Sequence, residues 1–333
     1  MVSFSRAHKI PHMHVHWLSP YTYEDPQQVY QSPLASLRLR AGPLVSVTDS
    51  NLTVSIGEKI PRHSDVCVVG KIGGHDIEHR KTEWLKAVFK LDCPVVLDYT
   101  DDHIQHPSVM TDFYQVALER ADLAICSSHY LKDSLARVFV KPIGVIPDAI
   151  EYTALQPRSE IHTPRRLLWF GHASNIPSLL SFLETFDPPI PVEVLVLTSE
   201  EGLQVLKERP NLSKDSVRLL YKPWSIEEMP KAAQLCDACI IPGLASAKLG
   251  VSSNRLLTAL MLGLPTGSEL LSSYVEFKDF FAPIQGDAFT EMLIRPPEWH
   301  QQVIKAQSHI LHNYAFASLG AKWQIQLQDI HSH

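Results

Sequence analysis

The chain has 333 residues, 45% hydrophobic and 20% charged, the composition of a soluble globular protein long enough for two cores of about 150 residues each. Thirty Lys and Arg against 36 Asp and Glu leave a net charge of −6, and without a basic tail or stripe this excludes general nucleic-acid affinity. No apolar run approaches the roughly eighteen residues of a membrane span, and the start lacks a signal-peptide core, so a cytoplasmic protein is expected. Short β-branched runs then alternate with amphipathic stretches, the pattern of parallel sheets with crossover helices. The first half predicts strands at 12–18, 43–48, 65–69, 94–99, 122–126 and 143–146, and helices over 33–40, 80–91, 108–120 and 128–137. His12, His14 and His16 alternate with Met13, Val15 and Trp17, which reads as the wetter face of the first strand. Residues 151–166 carry Pro157 and Pro164 without periodicity and read as a linker. A second series follows, with strands at 167–171, 192–198, 216–221 and 238–242 and helices near 177–186, 200–208, 225–235 and 253–262. The tail over 299–328 is helical by pattern and carries Trp323.

These elements predict an α/β protein with a Rossmann-like domain at 1–150, the linker at 151–166, a second Rossmann-like domain at 167–310, and a closing helix at 311–333 that packs on one or both. The five cysteines, Cys67, Cys93, Cys126, Cys236 and Cys239, lie mostly in apolar runs and read as buried thiols. Cys236 and Cys239 have the CxxC spacing of redox and zinc sites but no second pair, and the 17 histidines show no HExxH spacing.

Two stretches carry chemistry. Residues 248–265 set a polar, cationic turn before an apolar helix. Backbone N–H groups of a first helical turn have no partner within the helix, so Ser252, Ser253 and Asn254 form an anion seat, charged by Lys248 and Arg255, or else an ordinary helix cap. The run Asp98-Tyr-Thr-Asp-Asp-His103 ends a buried-type strand and so belongs at a site edge. Asp101, Asp102 and His103 are the candidates there for general-base work, against the alternative of a helix cap and a solvated loop. The three aspartates lack distinctive metal-ligand spacing, and no metal is expected.

Residues 121–133, Ala-Asp-Leu-Ala-Ile-Cys-Ser-Ser-His-Tyr-Leu-Lys-Asp, and 141–151, Lys-Pro-Ile-Gly-Val-Ile-Pro-Asp-Ala-Ile-Glu, resemble the end of the first domain of GT-B glycosyltransferases of the "group 1", family 4-like type. Leu-Leu-Trp-Phe-Gly-His-Ala-Ser-Asn at 167–175 is similar to the opening of that family's second domain, and 236–265 to its donor-binding core. The resemblance covers about residues 65–325. It implies two parallel sheets facing an interdomain cleft, and transfer of a sugar from a nucleotide-sugar donor to a glycan, lipid-linked or small-molecule acceptor. The donor is then a substrate, with no further cofactor. A lipid-linked acceptor would bring peripheral contact with the inner membrane face.

By this resemblance Gly171, His172, Ser174 and Asn175 line the donor diphosphate, and Trp224 flanks the base. Ser19, Tyr21, Tyr23, Ser36, Arg38 and Arg40 are candidate acceptor contacts, the arginines otherwise lying on a helix surface. The chain departs from the family where two glutamates eight positions apart are usual, since Gly250 and Thr258 stand there. His172 stands near the place of a usual arginine. Phosphate charge then falls to Lys248 and Arg255, and two other readings remain open: a non-catalytic GT-B-fold nucleotide- or glycan-binding protein, and a nucleotide-sugar epimerase.

Overall fold

The computed structural model describes residues 12–73, 76–209, 214–243 and 252–332. They form two compact units, one of residues up to Ala149 together with those from Tyr314 onward, the other spanning Ile150–Asn313.

The first unit runs β1 (Met13–Leu18), α1 (Ala35–Val45), β2 (Leu52–Gly57), β3 (Val66–Val69), α2 (Ile77–Val88), β4 (Val95–Tyr99), α3 (Thr111–Arg120), β5 (Leu123–Cys126), α4 (His129–Leu135) and β6 (Ile143–Val145). All strand pairs are parallel, in the order β2-β1-β3-β4-β5-β6. Every residue of β1, β3, β4 and β5 is buried, as expected where helices cover both sheet faces. His14 and His16 are therefore not on a wet face. His16 is 2% exposed and bonds Ser55 Oγ at 2.8 Å through Nδ1 and the Gly57 carbonyl at 3.0 Å through Nε2. Since a carbonyl only accepts, Nε2 carries the proton and Nδ1 accepts from Ser55, which fixes the neutral tautomer.

The strand expected at 43–48 is instead the end of α1 and the turn after it, and the strand lies at Leu52–Gly57. Pro43 sits inside α1, where it cannot donate to Leu39. The Leu39 carbonyl accepts the N–H of Ala149 instead, at 3.1 Å, so the defect becomes a tie to the segment after β6.

The second unit runs β7 (Arg165–Phe170), α5 (Ile176–Thr185), β8 (Val192–Thr198), α6 (Glu200–Lys207), β9 (Val217–Pro223), α7 (Glu228–Gln234), β10 (Ala238–Ile241), α8 (Asn254–Met261), β11 (Thr266–Ser268), β12 (Ala282–Pro283), α9 (Asp287–Ile294) and α10 (His300–Tyr314). Its six strands are also parallel, ordered β12-β11-β10-β7-β8-β9. Strands β11 and β12 were not expected from sequence. The segment read as a linker is fastened to this unit: Leu155 N–H donates to Met261, Gln307 Nε2 donates to the Leu155 carbonyl at 2.8 Å, and His162 N–H donates to Asp237.

The last helix, α11 (Phe316–His331), belongs to the first unit. It buries Leu319, Trp323 and Leu327, with the Trp323 indole edge-on to Trp17 at 5.1 Å. Full burial of such side chains stabilises by about 1.5–3 kcal/mol each. Cys236 and Cys239 are free and buried, and burial pushes the Cys239 thiol up to about 12 and raises Cys236 as well, which suits neither redox nor metal chemistry. Among the described residues no helix is long and apolar enough to cross a membrane.

Candidate functional site

In open parallel sheets, ligands bind beyond the strands' carboxyl ends at the point where strand order reverses. In the second unit the chain leaves β7 toward β8 and β9, then returns to β10 on the other side, so the reversal lies between the ends of β7 and β10. Gly171 follows β7 there. Its N–H donates to Leu197, and a Cβ on it would stand 3.2 Å from Trp169 and 3.3 Å from Asn175, tighter than ordinary contact. His172 caps the turn Ala173–Asn175 by accepting the Ser174 N–H at 3.3 Å, and Pro177 in the first turn of α5 suits a helix start.

Helix α8 begins at this crevice with no side-chain cap bond from Ser253, while Ser252 Oγ accepts the Asn254 N–H at 3.4 Å. The Arg255 guanidinium stands 5.3 Å from the Trp169 ring and 5.7 Å from the Phe170 ring. Its Nε and Nη2 are buried and, among the described residues, have no hydrogen-bond partner; Trp169 Nε1 is buried and unpartnered beside them. Burial lowers the Arg255 pKa, yet arginine keeps its proton in proteins, so a cation is held against two aromatic faces without a carboxylate among the described residues. Thr258 is buried, and its hydroxyl donates to Asn254 Oδ1 at 3.3 Å. Trp224 is half-buried after β9, its N–H donating to Thr198. The structure thus brings Gly171, Asn175 and Arg255 together around Trp169, a residue the sequence reading missed. Lys248 and Gly250 lie outside the described residues.

In the first unit the reversal falls between β1 and β3. Lys71, just after β3, pairs with Asp101 beyond β4. Burial opposes ionisation of Asp101, but Lys71 outweighs it and holds the carboxyl below its usual range. His103 stacks on Tyr114 at 4.6 Å with rings 10° apart, and its Nδ1 meets Ser108 Oγ at 2.8 Å. Burial pulls the His103 pKa below its ordinary value, keeping the ring neutral.

The other acidic groups have structural partners. Asp102 accepts from Tyr99 and Gln105 on one oxygen and from Ser134 on the other, so it clamps the loop that carries its neighbours. Asp98 is not at a solvent edge: it is 1% exposed and bonded by Arg40 at 2.6 Å. Arg38 and Arg40 are likewise buried rather than on a helix surface, with Arg38 donating to the Ser32 carbonyl and Arg40 to that of Ile146. Ser19 accepts the Tyr21 N–H. Lys71 was missed by sequence reading, although a charged residue directly after a buried strand was a usable signal.

No protein-family model matches the chain, and no curated protein matches it either. Solved structures do. The Anabaena protein HepE in complex with UDP superposes with a TM-score of 0.65 at 12% identity, over 95% of this chain and 100% of that one. T4 phage β-glucosyltransferase gives 0.59 at 11%, over 96% and 100%, and a glycosyltransferase from Rickettsia africae 0.58 at 9%, over 96% and 98%. These likenesses define the class of fold: two parallel six-stranded sheets with flanking helices, the GT-B fold.

Proposed function

We propose that this chain is a glycosyltransferase of the "group 1" type that moves a sugar from a nucleotide-sugar donor to a glycan, lipid-linked or small-molecule acceptor. The buried Arg255 at the reversal point of the second sheet carries the reading, because its Nε and Nη2 find no hydrogen-bond partner among the described residues and such a cation calls for an anion. A nucleoside diphosphate supplies one. Arg255, Lys248 and the first-turn amides of α8 receive the diphosphate, Gly171, His172, Ser174 and Asn175 line it, and Trp224 flanks the base. The solved complexes with UDP and with UDP-glucose, of HepE and the T4 enzyme, favour a uridine donor.

As the bond from the sugar's anomeric carbon to the diphosphate oxygen breaks, the charge released is met by Arg255. The acceptor oxygen bonds the same carbon and gives up its proton; in the first unit neutral His103 is the candidate base for it through Nε2, with Asp101 to stabilise the imidazolium. The T4 enzyme has been solved with UDP and Mn2+. For this chain the reading is of a transfer that relies on cationic side chains to meet the leaving charge.

A thermal-shift series with UDP, GDP, CDP, ADP and TDP on wild type and Arg255→Ala tests the donor seat. At least one nucleotide should raise Tm in wild type and fail to do so in the variant. No shift with any nucleotide would sink the reading. Thr258 favours a second reading, a non-catalytic nucleotide-binding protein, since its buried hydroxyl replaces a ribose-binding carboxylate. Nucleotide binding without donor hydrolysis or transfer across a broad panel would select it.

A further inference from the structure

The second unit holds another concavity, a cavity of about 380 Å³ between α5 and α9, floored by the residues that follow β10, β11 and β12. Neither the diphosphate seat nor the proposed chemistry uses it. One wall is aromatic: Phe182 stacks on Phe186 at 4.6 Å, and Phe289 meets them at 6.3 and 6.0 Å. Phe289 reaches this place because Gly267 of β11 has no side chain, and a Cβ there would overlap its ring. Phe182 is only partly buried, so the aromatic wall faces the cavity.

The opposite wall is polar. Glu269, after β11, accepts from Gln285 Nε2 at 3.2 Å, which sets a carboxylate and an amide side by side at the rim. Partial burial holds the Glu269 carboxyl above its ordinary range, with the Gln285 bond opposing that. On the α5 side Ser181 and Thr185 add hydroxyls beside the aromatic wall, and Gly286, also in the lining, has nothing within 4 Å of where its Cβ would lie.

The chemistry of this lining selects its ligand. Among the described residues it includes Asp187 and Glu269 but no Lys, Arg or His, which disfavours phosphates and nucleotides. An aromatic wall facing adjacent acceptors and donors suits a ring with an apolar face and vicinal hydroxyls. The volume lies at the small end of the range for ligand pockets, about 300–1,000 Å³, and fits one or two sugar rings. We propose that this cavity is a carbohydrate-binding site, separate from the donor seat, which takes a neutral pyranose by stacking on Phe182 and bonding to Glu269 and Gln285.

Saturation-transfer NMR with methyl glucoside, galactoside, mannoside and N-acetylglucosaminide, and with their disaccharides, tests this on the full chain with saturating UDP present. Wild type should bind at least one with millimolar affinity, and Phe182→Ala and isosteric Glu269→Gln should each weaken it tenfold or more. Silence across the panel, binding undiminished in both variants, or displacement by UDP would overturn the proposal. The thermal shift with UDP, read separately in wild type and both variants, reports on their fold and on the donor seat alone.

Discussion

Arg40 Nη2 donates to Asp98 Oδ1 at 2.6 Å with both side chains at most 1% exposed, and the same guanidinium lies 5.3 Å from the Trp323 ring. One cation thereby joins α1, β4, the Ile146 carbonyl and α11 inside the first unit. Removing a single partner strands the other charge, so Arg40→Met should destabilise by about 3–5 kcal/mol, while Arg40→Met with Asp98→Leu should recover part of that loss. Urea denaturation of the three proteins measures it.

Lysine at 255 separates charge from shape. An ammonium neither forks to a diphosphate nor spreads over Trp169 and Phe170, so Arg255→Lys should bind the responding nucleotide about tenfold more weakly than wild type yet better than Arg255→Ala. Calorimetry with that nucleotide decides, and equal affinity for the lysine variant would mean that charge alone matters.

With His103 as the base, the active form is the neutral ring. Burial lowers its pKa, so kcat/KM should rise with pH to a plateau whose half-point lies below the 6.5 of a free histidine. His103→Gln should remove that limb.

His16 makes the fold acid-sensitive. Its pKa falls from 6.5 to about 4 on folding, chiefly through burial, so between those values the unfolded chain binds more protons than the folded one. Stability is then full above about pH 6.5 and is lost as pH falls toward 4, by about 3 kcal/mol at most. His16→Gln, whose amide reaches the Gly57 carbonyl, should flatten the pH dependence of Tm over that window.

Transfer should survive EDTA if cationic side chains alone meet the leaving charge, and a turnover assay with and without chelator settles the point. Loss of activity restored by Mn2+ would reverse this part of the mechanism.

The strands of the series from β1 to β10 were legible where buried β-branched runs ended in turn residues. The run at 43–48 misled because Leu44 and Val45 look strand-like alone, whereas Gly42 admits Tyr30 and Phe316 at contact distance and packing overrides propensity. Strands β11 and β12, of three and two residues, are too short to leave a pattern. Arg255 could be chosen from charge and its place at a helix start, but its seat against Trp169 could not, since a tryptophan in a strand does not announce which neighbour it meets. Arg38 and Arg40 read as surface residues because a single sequence gives no sign that a carboxylate 58 positions away will be buried beside Arg40.

The return of α11 to the first unit has a consequence for how the molecule comes into being. The second unit is one continuous stretch, Ile150–Asn313, complete as soon as its last helix leaves the ribosome. The first unit, begun earlier, must wait for Trp323 to reach Trp17 before its core closes. During synthesis the half made first is the half finished last, and until then it exposes the apolar face that the final helix will cover.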